Sequence, residues 1–155
     1  MDIQSMLLGI LLMLIFMLPI LYVIFSNATK ERKRTNTVKA LCRKQQVNVQ
    51  NLEFVGNTII GMDNDFKFLV IADRLNIDQT FQLIPLADLK SCAVKAIRVK
   101  NKTLDTVELD LIGKDFSKEV IFYKEDDEMN TTDSEACLND AVRWEKSLRQ
   151  RMQLA

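Results

Sequence analysis

The chain has 155 residues, 48% of them hydrophobic, and its 21 basic residues balance its 21 acidic ones. It contains no histidine and three cysteines, which removes the commonest general base and metal ligand and excludes Ser-His and Cys-His nucleophile pairs. The zero balance hides an asymmetry: Lys30, Arg32, Lys33, Arg34, Lys39, Arg43 and Lys44 against Asp2 and Glu31 give residues 1–44 a net +5, and an acidic remainder lacks the clustered basic face that nucleic acid requires.

Residues 6–25, MLLGILLMLIFMLPILYVIF, form a run of 20 without a charge. As a helix rising about 1.5 Å per residue, such a run covers the roughly 30 Å hydrocarbon core of a bilayer. Residues 1–5 hold no Lys or Arg, and the run exceeds the roughly 7–15 apolar residues of a cleavable signal peptide. The expectation is an uncleaved single-pass anchor over residues 1–28, with its span at 6–25. Pro19 is tolerated in such a span, and no small-xxx-small pair favours self-association through it.

The cluster Lys30-Glu31-Arg32-Lys33-Arg34 follows the run almost at once. Basic residues flanking a span stay on the cytoplasmic side. This places the amino terminus outside, Lys30 onward in the cytoplasm, and the protein in the inner (cytoplasmic) membrane. Residues 29–46 read as a basic juxtamembrane stem, helical or coiled. Within it Lys30, Arg32, Lys33 and Arg34 are the expected contacts with anionic lipid headgroups; the alternative reading of the segment is simply a topology signal plus a spacer.

From residue 47 to 124 the apolar period switches to two, the mark of strands. Segments 58–63 and 66–73 flank Asn64-Asp65, a pair suited to a tight hairpin, with Phe66, Phe68 and Val70 on one face. Segment 81–86 carries Pro85, which suggests a strand end or edge. Further strands are expected over 90–99, 107–111 and 119–124, with turns at 100–105 and 113–115. Six or seven short strands joined by short turns predict an antiparallel β-sandwich or small barrel. Phe66, Phe68 and Trp144 are its expected structural core, with Phe81 and Phe122.

A helix over 132–153 closes the chain. Thr132-Asp133-Ser134-Glu135 fits a capping box, and Cys137, Ala141, Trp144, Leu148 and Met152 make one apolar stripe. The predicted architecture is therefore a membrane-anchored α+β protein, with one β domain over residues 47–155 closed by an amphipathic helix.

Strands in series followed by a helix with a central tryptophan resemble the pleckstrin-homology-like superfold, particularly its small bacterial versions. Ile60–Asp63 leading into Phe66–Ile71, then Ile84-Pro85-Leu86-Ala87-Asp88-Leu89, and finally Ala141-Val142-Arg143-Trp144 carry the resemblance, which covers roughly residues 47–153. It implies a scaffold that often serves protein interaction. Members that bind phosphoinositides use several basic residues around the loop joining the first two strands. This chain offers Asn64-Asp65 there, with only Lys67 following.

The chemistry inventory points away from an enzyme. No GxxxxGK[ST] or GxGxxG loop exists, and no cofactor is expected. Cys42, Cys92 and Cys137 are widely spaced, without a CxxC pair, and read as packing residues. The run Glu125-Asp126-Asp127-Glu128 lacks calcium-loop spacing and reads as a solvated linker. Sequons at Asn27, Asn101 and Asn130 carry no weight on the cytoplasmic side. The expected function is a membrane-tethered cytoplasmic interaction module. It would dock a protein partner of unknown identity at a sheet edge near Pro85 or in the groove between helix and sheet. A lipid or small-molecule sensor using the barrel pocket is the alternative.

Overall fold

A computed structural model describes residues 3–99, 103–126 and 133–154. Thr132, the 100–102 part of one expected turn, Glu128 and Asp127 of the acidic run, and the sequons at Asn101 and Asn130 lie outside them. The chain divides into two compact units, Met1–Thr37 and Val38–Ala155.

The first unit is helical. Helix α1 runs Ile3–Lys44, and its amino-terminal part is long and apolar enough to cross a membrane. Large apolar side chains from Ile10 to Phe25 are exposed, Phe16 at 69% and Tyr22 at 74%. Pro19 sits inside the helix without ending it.

The second unit opens with the last turns of α1. These end in a motif that the backbone bonds define: the Val47 N–H donates to the Cys42 carbonyl at 2.9 Å and the Gln46 N–H to the Arg43 carbonyl at 3.0 Å. Gln46 takes the left-handed conformation, φ 61°, that this Schellman ending requires. Val38, Cys42, Val47 and Val49 are buried together. The compact unit thus begins upstream of residue 47, inside the segment read from the sequence as stem.

Among the described residues seven strands follow in two antiparallel sheets. The first holds β1 (Leu52–Val55), β2 (Thr58–Met62), β3 (Phe68–Asp73) and β4 (Gln82–Pro85) in that order. The second holds β5 (Leu89–Arg98), β6 (Leu104–Gly113) and β7 (Ser117–Lys124). A single helical turn α2, Ile77–Thr80, separates β3 from β4, and helix α3, Ser134–Leu154, closes the chain. The arrangement is a sandwich of two open sheets; no closed barrel forms among the described residues.

The first sheet is covered on both faces. Ile60, Leu69, Ile71 and Ile84 point inward, joining Val107, Leu109, Leu111 and Phe122 of the second sheet and Cys137, Ala141, Trp144 and Leu148 of α3. Ile59, Val70 and Ala72 point outward, under Val38, Cys42 and Ile77. Gly61 in β2 permits this packing, because a Cβ there would lie 2.6 Å from the Asn51 carbonyl oxygen. Continuous apolar runs such as Leu69-Val70-Ile71-Ala72 are what a doubly covered strand needs.

Four expectations need correction. The turn between β2 and β3 is longer than Asn64-Asp65, because the Asp63 carboxylate accepts the Lys67 and Phe68 N–H groups at 2.6 and 2.9 Å and holds the loop open. Phe66 in that loop has φ 54° and is 43% exposed, so it is not a core residue. Phe68 and Phe81 pack, half-buried, on the outer cluster rather than between the sheets. Because β1 precedes it, this turn joins the second and third strands; Gly56-Asn57 joins the first two.

Helix α3 carries the expected stripe. Cys137, Ala141 and Leu148 are fully buried, Trp144 is 7% exposed, and Met152 packs at the edge of the cluster. Asp133 caps it: its carboxylate accepts the Glu135 N–H at 3.3 Å and its carbonyl the Cys137 N–H at 3.0 Å.

Candidate functional site

Lys30, Arg32, Lys33 and Arg34, the expected membrane-surface contacts, all lie on α1, where Lys30, Arg32 and Lys33 are exposed. Lys30, Lys33 and Arg34 fall on one side at helical spacing.

A cavity of about 490 Å³ lies where β1, the β2–β3 turn and α3 meet. The register explains its chemistry. Glu53 pairs with Ile60, so its side chain emerges on the inner face of the sheet, at the outermost strand. There the Glu53 carboxylate accepts the Trp144 indole N–H at 3.1 Å and an Arg143 N–H at 2.7 Å. Arg143 also donates to Asp140 at 2.8 Å, so two carboxylates share one guanidinium. Asp63, only 6% exposed, also lines the cavity, and Met62 and Phe66 supply apolar surface. The Arg151 guanidinium stacks on the Phe66 ring, 3.7 Å from its centroid. Of the three residues expected in the core, the structure thus brings Phe66 and Trp144 to this cavity. Phe68 lies elsewhere.

Sequence reasoning missed Glu53, Asp63 and Arg143. A usable signal was present: Glu53 is a charge at the centre of Leu-Glu-Phe-Val, inside a strand whose sheet is buried on both faces. Such a charge needs a partner, and Trp144 and Arg143 are that partner.

A second, more open cleft of about 810 Å³ borders β4 at Leu83, Ile84 and Pro85 and faces Phe116 and Lys118. The Lys118 ammonium donates to the Gln82 side chain, and burial lowers its pKa. Pro85 does stand on an outer strand.

The free edge of β5 is covered by α3 at Cys92 and Val94. The Glu145 carboxylate accepts the Val94 N–H at 3.3 Å, and Arg149 donates to the Cys92 carbonyl at 3.2 Å. Glu145 and Arg149 are themselves paired at 2.7 Å. These two side chains present the donor and acceptor that an added strand would bring.

On the outer face of the second sheet Glu108, Asp110 and Glu119 gather within 4.8 Å, with Lys95 3.7 Å from Glu108. Asp110 stands directly opposite Glu119. All three cysteines are free and buried. Burial pushes the Cys137 thiol up to about 11, helped by the carboxylates of Asp140 and Asp133.

The chain matches no protein-family model, no curated protein and no solved structure.

Proposed function

We propose that the protein is a single-pass membrane-tethered interaction module on a pleckstrin-homology-like scaffold. Residues 6–25 span the inner membrane, the amino terminus lies outside, and Lys30, Arg32, Lys33 and Arg34 meet the headgroups. The compact unit then works in the cytoplasm, docking a protein partner or serving as accessory subunit of a membrane complex.

One observation carries the tethering: the apolar side chains of α1 from Ile10 to Phe25 are exposed, an arrangement stable in hydrocarbon and costly in water. The four-plus-three split of antiparallel strands and the terminal helix support the scaffold assignment. Docking is favoured over sensing because the space between the sheets is filled by large side chains, Phe122 among them, and the cavities open at the surface. Occupation of the β5 edge by Glu145 and Arg149 directs docking to the α3 groove or to the cleft beside Pro85.

Alkaline carbonate extraction, then protease treatment of right-side-out and inverted vesicles, tests this reading. The protein should stay with the membrane, and the second unit should be digested only in inverted vesicles. Release by carbonate, or digestion from outside, refutes it. A stoichiometric protein in detergent extracts supports docking, whereas a retained lipid or metabolite supports the sensor.

A further inference from the structure

We infer that the cavity between α3, β1 and the β2–β3 turn is a receptor for an arginine side chain of a partner protein. The inference deepens the docking reading and rests on it.

Charge comes first. Glu53 and Asp63 line the cavity, and Asp140 stands beside it, while Arg143 is divided between Glu53 and Asp140. Three carboxylates thus face two guanidinia, Arg143 and the Arg151 that stacks on Phe66, and one negative charge is left over. Arg151 is committed to the Phe66 ring. Each lining carboxylate uses one oxygen in the contacts that build the site: Oε2 of Glu53 for Arg143 and Trp144, Oδ1 of Asp63 for two backbone amides. The second oxygen of each takes no part in those bonds. A carboxylate oxygen beside a surface cavity bonds a cationic donor more strongly than a neutral one.

Shape and apolar surface select the cation. Met62, Trp144 and Phe66 line the same cavity as the two carboxylates. A point-like ammonium leaves that surface uncovered. A guanidinium on a three-carbon stem lays its stem on Met62, stacks on aromatic surface and offers several donors in a fixed fork. The chain already places Arg151 against Phe66 and Arg143 against Glu53, so both groups accept a guanidinium, and an incoming one takes the surface that these two leave uncovered. Phe66 is held there in a left-handed conformation, φ 54°, by the bonds of Asp63 rather than folded into the core.

A partner side chain, rather than a free guanidinium compound, follows from the cavity's position. It opens beside β1, an outer strand, where Gln50 and Asn51 offer side-chain amides to a backbone running past the site.

Trp144 is the only tryptophan of the chain, so its fluorescence reports on this cavity. The full chain in detergent micelles is titrated with N-acetyl-arginine amide, its citrulline counterpart, and a five-residue acetylated alanine peptide carrying one central arginine. The arginine compounds should give a saturable change and the citrulline compound none, with the peptide binding more tightly than the amide. Glu53→Gln and Asp63→Asn keep an acceptor for the indole and the loop amides but remove the charge. Each should weaken peptide binding about tenfold, the equivalent of one charge-assisted bond, while circular dichroism and the unfolding midpoint show that the variants remain folded. Citrulline binding as well as arginine, or affinities unchanged in both variants, overturns the inference. Equal affinity for amide and peptide assigns the site to a free guanidinium compound and overturns the partner assignment. A co-purifying partner retained undiminished by both variants leaves the docking reading standing and the arginine site refuted.

Discussion

Replacing Val38 with alanine tests whether the end of α1 belongs to the folded unit. The side chain is fully buried with Cys42 against the outer face of the first sheet. Val→Ala removes the equivalent of two methylene groups, about 1.6 kcal/mol at roughly 0.8 kcal/mol each. The cavity left behind adds about 1 kcal/mol, and the better helix propensity of alanine returns about 0.5 kcal/mol. The net loss is about 2 kcal/mol, a sizeable part of the roughly 5–15 kcal/mol that a domain possesses. Urea unfolding of the full chain in micelles, followed by Trp144 fluorescence, should show the midpoint falling by about 1 M for a slope of 1–3 kcal/mol/M. Trp144 packs on the opposite face of the same sheet, so its response also tests whether the two faces unfold together. Arg43→Ala, at an exposed position of the same turn, is the control and should stay within about 0.5 kcal/mol of the parent. If Val38→Ala behaves like that control, this part of α1 is only a spacer and the assignment is refuted.

Other outcomes follow from single sites. Gln46→Gly should raise stability by about 0.5–1 kcal/mol, because glycine takes the left-handed ending of α1 without the Cβ clash; a loss in the same urea titration contradicts the Schellman assignment. Glu119→Lys replaces a like-charge pair with Asp110 by an opposite one and should add about 0.5–1 kcal/mol, diminishing with salt. The Cys137 thiol is raised from its ordinary 9.0 to about 11 in the folded chain, so the unfolded chain loses its proton first. The stability held below pH 9 should therefore fall as pH rises from 9.0 towards about 11, and Cys137→Ala should reduce that slope. A slope unaltered by the substitution would assign the alkaline loss to other groups.

Much of the architecture is legible in local pattern. The α3 stripe is legible because its apolar residues recur at helical spacing, and β6 because Val107-Glu108-Leu109-Asp110-Leu111 alternates cleanly. The end of α1 is not: Val38 and Cys42 are two apolar residues among charges, and only the partner surface makes them core. The face occupied by Phe68 is misread for a related reason. An alternating pattern assumes one dry face, whereas Phe68-Leu69-Val70-Ile71-Ala72 is continuous and signals two. Phe66 is misassigned because a bond from Asp63, three residues earlier, breaks the strand geometry just before β3. The cavity escapes reading because it joins β1, a turn and α3, and such a meeting depends on the packing of the sheets. Trp144 is identifiable as a buried plug, but its indole N–H on Glu53 depends on the register of β1.

The pair Glu145 and Arg149 has a consequence for crowding. Molecules confined to a surface meet far more often than the same number dissolved in a volume, and always in a similar orientation. An uncovered ten-residue strand such as β5 would then meet its own kind repeatedly, a geometry that favours sheet growth from one molecule to the next. By bonding Val94 and Cys92 from within the same chain, α3 acts as an immobile substitute neighbour. If the chain is tethered as proposed, this cover removes one site of strand addition where neighbours are held in a single plane.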